Sequence, residues 1–183
     1  AQIPNSSIPQ SFAINGNNIT DSKDYRQIEN IGAKYIRKGF TWETIEQTKG
    51  TYDFSAFDKV VDSLNNKGIT IIGILCYNND IYRPDGNRAI ETQANRKAYA
   101  SYAKATVNHF KNHNIIWEIW NEKNKKKFWD SDKEADHNSR EFARKYVALV
   151  NRTVPAMRAA DPNCSIVALS MSCIWKNSLR WMG

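Results

Sequence analysis

Three cysteines, three histidines, no long apolar run and no glycine-rich turn after any strand-like segment define this chain of 183 residues by what it lacks. The odd, sparse cysteine set (Cys76, Cys164 and Cys173) speaks against a disulfide scaffold and for isolated buried thiols. Cys164 and Cys173 bracket "SIVALS". Six extended residues cover roughly 17–20 Å, while a disulfide needs Cα atoms within about 7 Å. A bridge there would require the following loop to double back. No apolar run approaches the roughly 18–20 residues of a membrane span, so no span is expected. His109 and His113 have a metal-ligating spacing, but no Glu follows in the zinc-protease arrangement and no third ligand stands in the pattern. The plainer reading is a solvated pair favoured by a helix C-terminus, with no metal.

What is present is a hydrophobic fraction of 41%, six tryptophans and a net charge of +7. The first two place the chain among folded globular proteins. The charge permits a nucleic acid, an anionic membrane surface or an acidic polysaccharide as partner. No nucleic-acid module pattern accompanies it, so nucleic acid is set aside. The opening "AQIPNSSIPQ", without Met, looks like a mature protein after cleavage at a small residue. A secreted or periplasmic location is the expectation.

Along the chain, β-rich runs alternate with helical patterns. The strand candidates are Ser11 to Asn15, Lys34 to Trp42, Ile69 to Tyr77, "IIWEIWNE" from Ile115 to Glu122, and "SIVALSMS" from Ser165 to Ser172. Between them, apolar residues recur at helical spacing: Tyr25, Ile28 and Ile31; then Phe57, Val60, Val61 and Leu64. A long helix from about Glu91 to Lys111 places Tyr99, Tyr102, Val107 and Phe110 inward, and another, about Ser139 to Ala160, presents Phe142, Tyr146, Leu149, Val150 and Val154. A last helical start, "SLRWMG", ends the sequence. Strict β–α alternation predicts an α/β fold with a parallel sheet and right-handed crossovers. It closes either as an open doubly wound sheet or as a (β/α)8 barrel. Without a glycine-rich phosphate turn, the nucleotide-binding form of the open sheet has no support. In both folds chemistry collects at the carboxyl ends of the strands, where Asn121 and Glu122 fall.

Four segments, in order, carry a family resemblance: "IGAKYIRKGFTWETIEQTKGTYDFSAFDKVVDSLNNKGITIIGIL", "WEIWNEKN", "FW" and "AMRAADPNCSIVA". They resemble the N-terminal part of retaining glycoside hydrolases of the cellulase-like clan, closest to family 39. The resemblance implies a (β/α)8 barrel of TIM type with about five of eight β–α units in residues 1–183, a single, C-terminally truncated domain. It implies that Glu122 is the general acid/base, that Asn121 binds a sugar hydroxyl, and that Arg37 contacts the catalytic carboxylates. It places Trp129 where such enzymes hold a sugar-stacking aromatic. Lys123 departs from the family, which usually has proline after the glutamate.

The residues make chemical sense of that assignment. A general acid needs its carboxyl kept protonated, which an apolar surround favours. Strand alternation would put Glu118, Trp120 and Glu122 on one face, with Trp120 beside the acid. Arg37 could pair with Glu118, either as a structural ion pair of the barrel interior or as part of the site. The chemistry needs no metal and no organic cofactor. A retaining enzyme does need a second carboxylate about 5–5.5 Å from the first, which the family carries on its seventh strand. Glu43, Asp80, Asp85 and Asp130 fall in loops or helix starts and match no nucleophile motif, so the nucleophile is expected outside this chain. Exposed sheet edges would then be covered by a complementing C-terminal half or by a second copy; a non-catalytic carbohydrate-binding remnant is the alternative. The partner is a carbohydrate, and the run "KNKKK" from Lys123 to Lys127, over the cleft mouth, would favour an anionic polysaccharide if it is more than a solvated loop.

Overall fold

The computed structural model describes residues 12–16, 19, 22–84, 88–129 and 139–172. In chain order the elements are β1 (Ala13–Asn15), α1 (Ser22–Asn30), β2 (Tyr35–Thr41), α2 (Trp42–Ile45), α3 (Ser55–Asn66), β3 (Thr70–Cys76), α4 (Gln93–His109), β4 (Ile115–Ile119), α5 (Arg140–Ala160) and β5 (Ser165–Val167). The strands form one sheet in the order β1-β2-β3-β4-β5, every pair parallel. That order decides between the two closures. A doubly wound sheet reverses direction and carries its first strand inside the sheet, whereas a barrel adds each strand beside the last. The fold is therefore of the (β/α)8-barrel type, with five strands of the arc among the described residues.

Period-two alternation assigns the two faces of the sheet. Ile36 and Phe40 of β2, Ile71 and Leu75 of β3, and Ile115, Trp117 and Ile119 of β4 join the helices in one apolar core. There Phe40 stacks on Phe57 of α3 at 4.9 Å and meets Trp117 edge-on at 5.1 Å. The approach is close enough to require glycine at position 73, where a Cβ would stand 2.9 Å from the Trp117 ring. Arg37, Ile74, Cys76 and Glu118 take the opposite face, the barrel interior. In the register Arg37 pairs with Ile72 and Glu118 with Ile74, so the arginine reaches its carboxylate across β3.

Helix limits follow local chemistry. Thr92 and Ser139 cap α4 and α5, accepting from the backbone N–H of Asn95 and Phe142. Gly32, at φ 72°, turns the chain after α1.

Several expectations need correction. Ile31 lies one residue past α1 and is 55% exposed rather than inward. Trp42 leaves the strand for the short helix α2, because its buried indole Nε1 donates to the buried carboxylate of Glu46 at 2.5 Å. Strands β4 and β5 stop at Ile119 and Val167, short of Glu122 and Ser172, where Trp120, Glu122 and Leu169 take positive φ. The histidine pair is not simply solvated: His109 and His113 face Asp58 and Asp62 of α3 at 2.6 and 3.0 Å, tying α3 to the end of α4. Among the described residues no group of three or more potential ligands could hold a metal ion, and no helix is long and apolar enough to cross a membrane. Cys76 and Cys164 are buried free thiols. Cys173 and the expected last helix lie outside the described residues.

Candidate active site

The site is built where β4 ends. Ile119 closes the strand, and the next three residues break its alternation because Trp120 and Glu122 adopt left-handed backbone, φ 65° and 42°. For a residue with a side chain that conformation costs on the order of 1 kcal/mol, so surrounding contacts must hold it. They do. The Trp120 N–H donates to the Leu75 carbonyl at 3.1 Å, the Tyr146 hydroxyl to the Ile119 carbonyl at 2.7 Å, and the Lys125 N–H to the Glu122 carbonyl at 2.8 Å.

This backbone turn changes what each side chain faces. Trp120 does not share a face with Glu118 and Glu122, as unbroken alternation would have it. Its ring, 1% exposed, goes into an aromatic layer with Tyr77, Tyr99 and Trp129, at centroid distances of 5.6, 5.8 and 5.0 Å. Trp129 is fully buried there and offers no surface to a sugar. Neither indole is among the residues lining the cavity, so Trp129 does not present the ring face expected of it and Trp120 does not lie beside Glu122 on an open strand face. Their neighbour Phe128 lines it instead, stacked on Tyr77 at 5.3 Å with 15° between planes. Of the "FW" pair it is Phe128, not Trp129, that reaches the cavity.

Asn121 and Glu122 line a cavity of about 590 Å³ with Arg37, Thr41, Cys76, Tyr77, Lys127 and Phe128. A smaller cavity of about 290 Å³ shares Thr41, Tyr77, Lys127 and Phe128 with it and adds Glu43, Asn78 and Arg88. Behind Asn121 runs a continuous polar network. Arg37 grips Glu118 with two bonds, Nε to Oε2 and Nη2 to Oε1, each 2.7 Å. Its Nη2 also donates to Asn121 Oδ1 at 2.8 Å, and Asn121 Nδ2 donates to the Tyr77 hydroxyl at 2.8 Å. The amide is thus held at both ends and its orientation is determined. Sequence reasoning anticipated that Arg37 could pair with Glu118; it missed the Arg37–Asn121 bond and Tyr77, whose position at the end of β3 was the available signal.

Electrostatics follow the same geometry. The Glu118 hydrogen bond raises the Arg37 pKa above its ordinary value, against the effect of burial. Burial pushes Cys76 and Tyr77 up to about 12 each, so both stay protonated and neutral beside the cavity. Among the described residues Glu122 is the only carboxylate lining the larger cavity, and its side chain makes no hydrogen bond or ion pair with them. The lysine run divides. Lys125, Lys126 and Lys127 are exposed, Lys127 at the rim of both cavities, whereas Lys123 is 3% exposed and sits among rings.

The sequence matches the family model described as Cellulase (glycosyl hydrolase family 5) over residues 2–180. No curated protein matches it. Among solved structures, a family 39 glycoside hydrolase from Bacteroides cellulosilyticus WH2 superposes with a TM-score of 0.70 at 23% identity, over 87% of this chain and 31% of its own. An exo-beta-1,4-mannosidase from Opitutaceae bacterium strain TAV5 gives 0.63 at 15%, over 81% and 28%. Native xylanase 10B from Thermotoga maritima gives 0.61 at 16%, over 94% and 53%. At these identities the likeness is one of fold, and the chain spans 28–53% of the length of these three structures. The expected clan is correct; the family model that matches is that of family 5, with a family 39 enzyme among the fold neighbours. With residues 2–180 matched, the chain belongs to the cellulase family, glycosyl hydrolase family 5.

Proposed function

We propose that this chain carries the acid/base side of a retaining glycoside hydrolase acting on a polysaccharide or oligosaccharide. The observation that carries the reading is the Glu122 carboxylate, alone in the cavity among the described residues, beside an Asn121 amide oriented by Arg37 and Tyr77. In the first half-reaction the Glu122 carboxyl gives its proton to the glycosidic oxygen as the C–O bond breaks, while a second carboxylate attacks the anomeric carbon. In the second half, Glu122 takes a proton from the water that releases the sugar. Asn121 holds a sugar hydroxyl, Arg37 keeps Glu118 and Asn121 in place, and the Phe128–Tyr77 ring pair offers an apolar face to a pyranose.

Among the described residues no other acid lines the cavity, and the reading places the second carboxylate outside them. It would arrive with units covering the β1 and β5 edges. Ile14, Ile19, Ile28 and Ile31 border a groove of about 550 Å³ beside β1 where such units would pack. A complementing C-terminal half or a second copy would fill that role. The same lone carboxylate supports one other reading, a carbohydrate-binding remnant without turnover. Lys127 and Arg88 at the rim favour an anionic glycan.

Aryl glycoside hydrolysis by the purified chain, wild type against Glu122→Gln, separates the readings. Turnover lost in the variant supports the enzyme. Glycan binding with no turnover in either protein supports the remnant. Binding that weakens with salt for an acidic glycan but not for a neutral one would identify the rim's preference.

A further inference from the structure

The carboxylate of Glu122 is held by no side-chain bond among the described residues, so the backbone must aim it, and that backbone is left-handed at Glu122. The chain is tied to helix α5 on both sides of this residue. Before it, the Tyr146 hydroxyl donates to the Ile119 carbonyl and accepts from the Leu169 N–H at 2.9 Å. After it, the Lys123 Nζ donates to the carbonyl of Phe142, and lies 4.3, 5.3 and 5.9 Å from the ring centroids of Phe142, Tyr146 and Trp129. A lysine this buried gives up hydration to be there, which a surface loop does not require.

We propose that Lys123 is a positioning residue for Glu122: its amino group, boxed by Phe142, Tyr146 and Trp129 and bonded to the Phe142 carbonyl, clamps the backbone after the carboxylate onto α5. The pair of ties at residues 119 and 123 confines Asn121 and Glu122 between them, so the acid keeps its aim without a side-chain partner that would compete for its proton. Burial pulls the Lys123 pKa down to about 6, Lys145 adds to this, and Glu91 opposes it. The N–H bond to Phe142 forms with the amine or the ammonium, so the clamp works on both sides of that value; the ring faces favour the ammonium. The part played in catalysis rests on the acid/base reading of Glu122, while the clamp itself does not.

Lys123→Met, which keeps the apolar stem and loses the donor, tests it, with Phe142→Leu as a second variant that removes the principal ring. Hydrogen exchange of the free protein reads the clamp without substrate. The amides of Trp120 and Lys125 should exchange at least about tenfold faster in both variants, with global unfolding unchanged or later in Lys123→Met and the local increase exceeding the global one in Phe142→Leu. Hydrolysis reads the positioning: kcat should fall about tenfold to a hundredfold for aryl glycosides with poor leaving groups, with KM little changed, and hold for those with good ones, because only the former need a well-placed acid. Unchanged exchange overturns the clamp. Faster exchange with equal losses for both leaving groups overturns the positioning role. Absence of turnover in the wild type overturns the enzyme reading, and the exchange result then decides the clamp alone.

Discussion

Removing Arg37 should show how much of this site depends on one guanidinium. In Arg37→Met the apolar stem remains while both bonds to Glu118 and the bond to Asn121 disappear. The Glu118 side chain is 5% exposed, and Arg37, at 26%, admits some water. Stripping the partner from a buried charge costs about 3–5 kcal/mol; partial solvation of this pair lowers the expectation to about 2–4 kcal/mol. Glu118→Gln leaves Arg37 with Asn121 and with Ser170 Oγ at 3.4 Å, and should cost only about 1–2 kcal/mol. The double variant, having no stranded charge, should recover about 1–2 kcal/mol of the summed losses. Urea unfolding followed by tryptophan fluorescence measures all four proteins, with a constant m-value as the check that the same surface unfolds. Single losses that simply add, within about 0.5 kcal/mol, would refute the coupling and reduce the network to two independent surface contacts.

Three further outcomes are expected. Glu122→Gln should fold like the wild type and lose about 10²–10⁴ in kcat on glycosides with poor leaving groups, measured by steady-state hydrolysis. Trp129→Ala should cost about 3–5 kcal/mol in urea unfolding as a core deletion, whereas Phe128→Ala should leave stability within about 1 kcal/mol and weaken glycan binding in titration calorimetry; the reverse pattern would return the sugar platform to Trp129. Lys123 has a folded pKa near 6 against 10.5 unfolded. The unfolded chain therefore binds the extra proton between those values, and the lysine's contribution makes stability rise with pH across that window. Lys145 and Glu91 face the group, with Glu141 beyond Lys145, so the comparison is made against Lys123→Met, whose unfolding midpoints at pH 6 and pH 9 should lie closer together than the wild type's.

Much of the fold was legible because it is written in local periods. Phe57, Val60, Val61 and Leu64 recur at helical spacing and are all buried; β3 is apolar on both sides and lies between two strands beneath helices. The apolar run places Asn121 and Glu122 at the end of a buried strand, and Arg37 comes from the family resemblance, with a pairing to Glu118 as one option. Glu118 is put on one face by period-two reasoning on β4. That reasoning failed at Trp120 for a definite cause. Alternation assumes extended backbone, and a left-handed residue at the strand end, stabilised by bonds from Leu75 and Tyr146, is invisible to it. One left-handed residue sent Trp120 into the aromatic layer, where Trp129 packs against it and Phe128 is left at the cavity.

The sequence by itself therefore determined the β/α alternation, the parallel sheet, the clan and the strand-end carboxylate, all set by residues a few positions apart. The tertiary structure decided the sequential strand order that marks a barrel, the Arg37–Glu118 grip across β3, the burial of both tryptophans and the aromatic box around Lys123. Each of these joins residues from different elements, and long-range contacts are settled by packing, which no local pattern encodes.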